Sequence, residues 1–319
     1  VFATLLSIIT YIREIELYSI TILSKIYLLT TEEHDSVVSS LEKYKMLVGS
    51  VVFILFMIPV SFMTHIRTMA VISYVSNVFF VLFMLYLVAM FGYEVKKNGF
   101  DPNHSFHFFT IKTNFAKSLS TSIFAYNFHP LTYPGIRHVK NCTRSNLIRI
   151  IAISMIIVLV NYIIVGAFSY LTFFDKNKSG VILDYYPEGT KTEKILAIIG
   201  RIFSFGFVLL TIPFRLNACR YVILNTITNS SSFPTDIWTF LGLIISLLAL
   251  CLGNLSSEYL NILFIFSDLL ASFQLFIFTP TLYLRANGTK DKFNTFMSIF
   301  FLFIGLVTIA FMIVYDGFY

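Results

Sequence analysis

Charge is what this sequence has least of. Asp, Glu, Lys and Arg make up 13 per cent of its 319 residues while 57 per cent are hydrophobic; an ordinary soluble domain carries about 25 per cent charged residues. A soluble core of this length cannot hide so much apolar surface, so the composition asks for a membrane as solvent. The net charge is +6, but the basic residues sit in short pieces between apolar runs, with no basic stripe and no nucleic-acid-binding motif, which argues against a nucleic-acid partner. Cysteine is scarce. Cys142, Cys219 and Cys251 lie far apart, without CxxC or histidines at ligand spacing, so neither a disulfide framework nor a metal site is expected. There is no glycine-rich phosphate loop, no pair of catalytic carboxylates and no Ser-His-Asp order, so neither an enzyme nor a cofactor is expected. The chain opens on Val1 directly into an apolar run, with no basic leader and no small-residue cleavage site. It therefore reads as lacking a signal peptide and as starting inside something longer.

What is present is a series of long apolar runs. Crossing about 30 Å of hydrocarbon takes about 20 helical residues. Nine stretches qualify, at 1–29, 46–64, 68–93, 115–136, 146–173, 193–226, 236–253, 259–285 and 293–315. This predicts an all-α polytopic membrane protein with one transmembrane domain over 1–319. A β-barrel is disfavoured, because the runs are continuous rather than short and alternating. The first run is interrupted by Arg13, Glu14 and Glu16, and the run at 193–226 is long enough to tilt or project from the bilayer. Polar surface loops are expected at 30–45, 94–114 and 174–192. Arginines concentrate in the connections at 64–68, 137–146, 215–235 and 285–292, which assigns those connections to the cytoplasm. Asn103, Asn177 and Asn254 then lie in outward-facing N-x-S/T sequences and are candidate glycan acceptors, with chance occurrence as the plain alternative.

The run at 115–136 ends unlike a membrane helix. Asn127, His129, Pro130, Thr132, Tyr133, Pro134 and Gly135 crowd together. Each proline lacks an N–H and disfavours the helical conformation of the residue before it. The ladder should therefore fail near Tyr126–Pro134, and the freed carbonyls cannot face lipid. Secondary transporters use such discontinuous helices to hold substrate and coupling ion. The alternatives are a proline kink, or a span that ends at Tyr126.

The segment F-A-Y-N-F-H-P-L-T-Y-P (124–134) resembles the FAF-x-CHP-x-x-x-P segment of the amino acid/auxin permease family, which includes the sodium-coupled neutral amino acid transporters. V-G-A-F-S-Y-L-T-F (165–173), L-L-T-I-P-F-R-L (209–216) and I-P-V-S-F-M-T-H-I-R-T-M-A-V-I-S (58–73) are similar to further segments of that family in the same order, and T-P-T-L-Y-L-R (279–285) matches more loosely. Phe128 stands where the family has cysteine, and a second proline is missing near Cys219 and Arg220. The resemblance implies a LeuT-like inverted-repeat bundle lacking its first two helices. It also implies an amino acid substrate against Phe124, Ala125, Tyr126, Asn127 and His129, and a sodium ion or proton as coupling ion.

Three further groups carry expectations. Thr211, with carbonyls near Phe207 and Val208, offers hard oxygen ligands to a small cation; the alternative is a hydroxyl bonded to its own helix above Pro213. Asp268, mid-span, is a candidate proton relay or a packed carboxyl with serine partners. His129 either senses pH or simply hydrogen-bonds within the bundle. Arg13 and Glu16, three apart, are spaced to pair on one helix face. The leading function is secondary active amino acid transport in the plasma membrane or a vacuolar or lysosomal membrane. The alternative is a membrane protein of degenerate transporter fold that binds or senses amino acids without moving them.

Overall fold

A computed structural model describes residues 2–30, 43–62, 66–98, 143–173, 190–228, 233–254, 269–287 and 291–316, with Ser122, Leu183, Ile262 and residues 265–266 between them. All regular structure among these is helical. The helices are α1 (Phe2–Thr30), α2 (Lys45–Ser61), α3 (Ile66–Asn98), α4 (Arg144–Phe173), α5 (Lys191–Thr228), α6 (Thr235–Gly253), a π-helix (Phe273–Phe278), α7 (Thr279–Asn287) and α8 (Lys292–Asp316). Among the described residues six segments are long and apolar enough to cross a bilayer: Val71–Lys97, Arg144–Phe173, Lys191–Thr228, Thr235–Gly253, Leu269–Ala286 and Lys292–Ala310.

The chain forms two compact units. The larger comprises residues 8–104 and 134–254, the smaller residues 1–7, 105–133 and 255–319. In the larger unit α3 packs along α5 and α4, and α6 packs against α2 and α5. Buried faces follow helical spacing. Ile8, Ile12, Ile15 and Ser19 line the inner face of α1, and Gly242, Ile245, Ser246, Ala249 and Gly253 line that of α6. The small residues of α6 let backbones approach, the usual means of helix association where lipid removes the hydrophobic driving force. Large apolar side chains such as Leu55, Tyr74, Ile163 and Phe240 face outwards, as expected where the surrounding solvent is hydrocarbon.

The boundaries expected from sequence need four corrections. α1 runs unbroken through Arg13, Glu14 and Glu16: Arg13 Nε donates to the Gly253 carbonyl at 3.3 Å, and Glu16 is buried. α2 stops at Ser61, just past Pro59, where the chain tightens into a turn with Phe62 N donating to the Pro59 carbonyl at 3.2 Å. α3 continues five residues beyond 93, into the expected loop, because its last turn has a partner on α5. α5 runs unbroken over Lys191–Thr228, so the expected connection does not begin at 215: Arg215 and Arg220, counted with it, lie inside the helix.

In the smaller unit the π-helix directly precedes Pro280. The Thr279 N–H reaches back five residues to the Gln274 carbonyl, and its hydroxyl donates to the same oxygen at 2.8 Å. Pro280 has no N–H to give to Phe276, and the register shift just before it is a known way for a helix to absorb such a break.

Candidate functional site

α3 and α5 meet along an antiparallel seam. Ser76, Phe80, Tyr86 and Tyr93 face Thr211, Phe207, Gly200 and Glu193 in turn. Two glycines allow the close crossing. A Cβ on Gly206 would lie 2.6 Å from the Phe79 ring, and one on Gly200 would strike the Tyr86 ring.

The N-terminal end of α5 is fastened by polar contacts. Thr190 and Glu193 form a reciprocal capping box: the Thr190 N–H donates to Glu193 Oε2 at 3.0 Å, and the Glu193 N–H to Thr190 Oγ1 at 3.3 Å. Lys97 Nζ pairs with Glu193 Oε1, which also accepts the Tyr93 hydroxyl at 3.2 Å. Glu193 is only 1 % exposed, and these donors are what let a carboxylate sit there.

Near the middle of α5 the seam gathers oxygens. Thr211 Oγ1 donates to the Phe207 carbonyl at 2.7 Å and lies 3.3 Å from Ser76 Oγ. Two residues on, Pro213 removes the N–H that would have served the Leu209 carbonyl. Hydroxyl and carbonyl oxygens without a formal negative charge are thus concentrated inside a helix pair. Ser76 Oγ, Thr211 Oγ1 and the Phe207 carbonyl are neutral hard oxygens. The backbone bond expected as the alternative for Thr211 is made. The partner from α3, Ser76, was invisible in sequence because 135 residues separate the two.

The other expected site residues divide by position. Phe124, Ala125, Tyr126, Asn127, His129 and Asp268 lie outside the described residues, as do Asn103 and Asn177. Asn254 caps the C-terminus of α6, its side-chain amide donating to the Leu250 carbonyl at 3.0 Å and to Ser50 Oγ at 3.4 Å.

One group escaped sequence reasoning. Arg220 is 0 % exposed. Its Nη1 donates to the carbonyls of Ser61 (3.0 Å) and Trp238 (3.4 Å), and its guanidinium stacks on the Trp238 ring, 4.7 Å from the centroid. Phe233 stacks on Trp238 and meets Tyr221 edge-on. Arg220 Nε and Nη2 and Trp238 Nε1 have no hydrogen-bond partner among the described residues. The carbonyl it reaches on α2 ends a helix, the negative end of the macrodipole. The signal in sequence was an arginine nine residues into an apolar helix from Thr211; it was read as a connection charge instead.

Apolar helices of membrane length, several of them seamed by glycine contacts, define a multi-pass integral membrane protein. A family model described as transmembrane amino acid transporter protein matches residues 5–316, and the chain belongs to that family, one of transporters and not of enzymes. No solved structure matches the chain.

Proposed function

We propose that the chain is a secondary active transporter that moves amino acids by alternating access, coupled to sodium or protons. In this reading the fold is a LeuT-like inverted-repeat bundle with about nine spans. Substrate rests against Phe124, Ala125, Tyr126, Asn127 and His129, where Pro130 and Pro134 free backbone groups for an amino acid's ammonium and carboxylate. The observation that carries the reading, beyond family membership, is the oxygen cluster of Ser76, Thr211 and Phe207. It supplies neutral hard ligands suited to a monovalent cation in the middle of a membrane helix, beside a carbonyl that Pro213 leaves without its ladder donor. Asp268 is the residue for a proton route instead. The membrane is the plasma membrane or a vacuolar or lysosomal one.

The test is uptake of labelled amino acids into liposomes holding the full-length protein, under sodium and proton gradients applied separately. Gradient-driven uptake of at least one amino acid is expected. If sodium drives it, Thr211→Val should raise half-saturating sodium about 5- to 150-fold, the range for a lost ligand worth about 1–3 kcal/mol, while Thr211→Ser should restore it. Binding of an amino acid without flux under either gradient identifies the sensing alternative. An absence of both binding and flux refutes the proposal.

A further inference from the structure

Arg220 uses one side of its guanidinium and leaves the other unmet. Nη1 serves the Ser61 and Trp238 carbonyls. Nε and Nη2 share the remaining edge, where the covalent geometry of arginine sets them side by side as two parallel donors. Both are buried, and neither has an acceptor among the described residues. The indole N–H of Trp238, on the ring that the guanidinium covers, is buried without one as well. Native structures seldom leave buried donors unmet, least of all charged ones.

The charge is as incompletely answered as the donors. Among the described residues no carboxylate pairs with Arg220. What it meets is partial: the carbonyl end of α2, equivalent to about half a negative charge, and the face of the Trp238 ring. Against these stands the start of α6, whose fourth residue is Trp238. Its N-cap is Pro234, which gives no side-chain cap, so the first-turn N–H groups add positive potential. Asp236 in that turn is exposed and makes no ion pair with Arg220. A water molecule could accept from the donors, but it could not answer the charge. In a membrane protein a buried cation without a counter-charge is expensive.

We infer that the Nε–Nη2 edge of Arg220 is an anion site, taking one small monovalent anion of chloride's class at the junction of α2, α5 and α6. The anion is small because the setting is tight. Arg220 is 0 % exposed, and even a Cβ on Gly242 would come within 2.7 Å of Nη1. It is singly charged because one guanidinium faces it; Arg215, the nearest basic residue on α5, is turned to the Tyr11 hydroxyl at 3.1 Å. The inference does not rest on transport activity.

The test is thermal unfolding of the full-length protein with sodium chloride exchanged for sodium gluconate at constant sodium and ionic strength. Chloride should raise the melting temperature by about 2–5 °C and saturate; sulfate at equal ionic strength should not. Arg220→Gln should lose the chloride response. Arg220→Lys, which keeps the charge but not the fork, should need about 10-fold more chloride or beyond. Anomalous scattering from bromide in crystals of the unaltered protein locates the ion, with a peak expected beside Arg220 Nε and Nη2; if the Arg220 variants fail to fold, this peak decides. A melting temperature indifferent to chloride, an equal response to sulfate, a chloride response kept in Arg220→Gln, or no bromide at that edge would each overturn the proposal.

Discussion

The sharpest test of the packing is a pair of glycine-to-alanine substitutions. Gly49 of α2 sits directly over Glu16 of α1. A Cβ added there would lie 2.6 Å from the Glu16 Cα and 2.7 Å from its Cβ. Backbone atoms cannot swing away as a side-chain tip can, so α1 and α2 must part by roughly 1 Å, an overpacking cost of about 1–3 kcal/mol. Gly166 of α4 is the control, because a Cβ there meets nothing within 4 Å. Both changes gain the same helix preference, about 0.5–1 kcal/mol, so this gain cancels in the comparison. Gly49→Ala should therefore be less stable than Gly166→Ala by about 1–3 kcal/mol, measured by unfolding the full-length protein in mixed micelles with rising SDS while following helical circular dichroism. Glu16→Ala should rescue Gly49→Ala only in part, since it leaves Cα and Cβ in place. If Gly49→Ala proves as stable as Gly166→Ala, the close crossing of α1 and α2 is wrong.

Trp238→Leu removes the ring on which Arg220 is stacked and should cost about 2 kcal/mol, the upper range for a desolvated cation–π contact; Trp238→Phe should cost distinctly less in the same unfolding assay. Glu193→Ala should lower the melting temperature more than Lys97→Met, because Glu193 also caps α5 and accepts from Tyr93 while Lys97 supplies only one of these partners; the reverse order would undo the account of the α5 terminus. Gly206→Ala should lower the melting temperature while Gly92→Ala on α3 should not, since only the first meets a neighbouring ring.

Much of the helical layout was legible because membrane-length apolar runs leave little room for another reading. The positions of α4, α5, α6 and α8 were within two residues of expectation at each end. What sequence could not show was pairing at a distance. Arg13, Glu14 and Glu16 looked like interruptions of the first span, yet the helix simply turns Arg13 toward the Gly253 carbonyl 240 residues away. The end of α3 was placed at 93 because Glu94, Lys96 and Lys97 look like a loop; Glu193, 96 residues from Lys97, makes them a helix end instead. The π-helix left only Pro280 as a local trace. For the candidate ion site, Thr211 above Pro213 was readable as a residue type in a pattern, and Ser76 was not, because nothing near Ser76 in sequence marks it. Arg220 was visible but misassigned, since counting arginines by side of the membrane treats every arginine near an apolar run as a loop residue.

The fastening of Glu193 has a consequence for how the protein is made. Synthesis proceeds from the N-terminus, with earlier segments folding first, so Tyr93 and Lys97 are already in place when α5 emerges. A carboxylate at the start of an arriving apolar helix is an obstacle to membrane entry; here a waiting ammonium and phenol receive it. Deleting those two side chains should leave newly made chains with α5 inserted less efficiently, read out by protease protection of the 190–228 segment in microsomes, even where the finished protein tolerates the change.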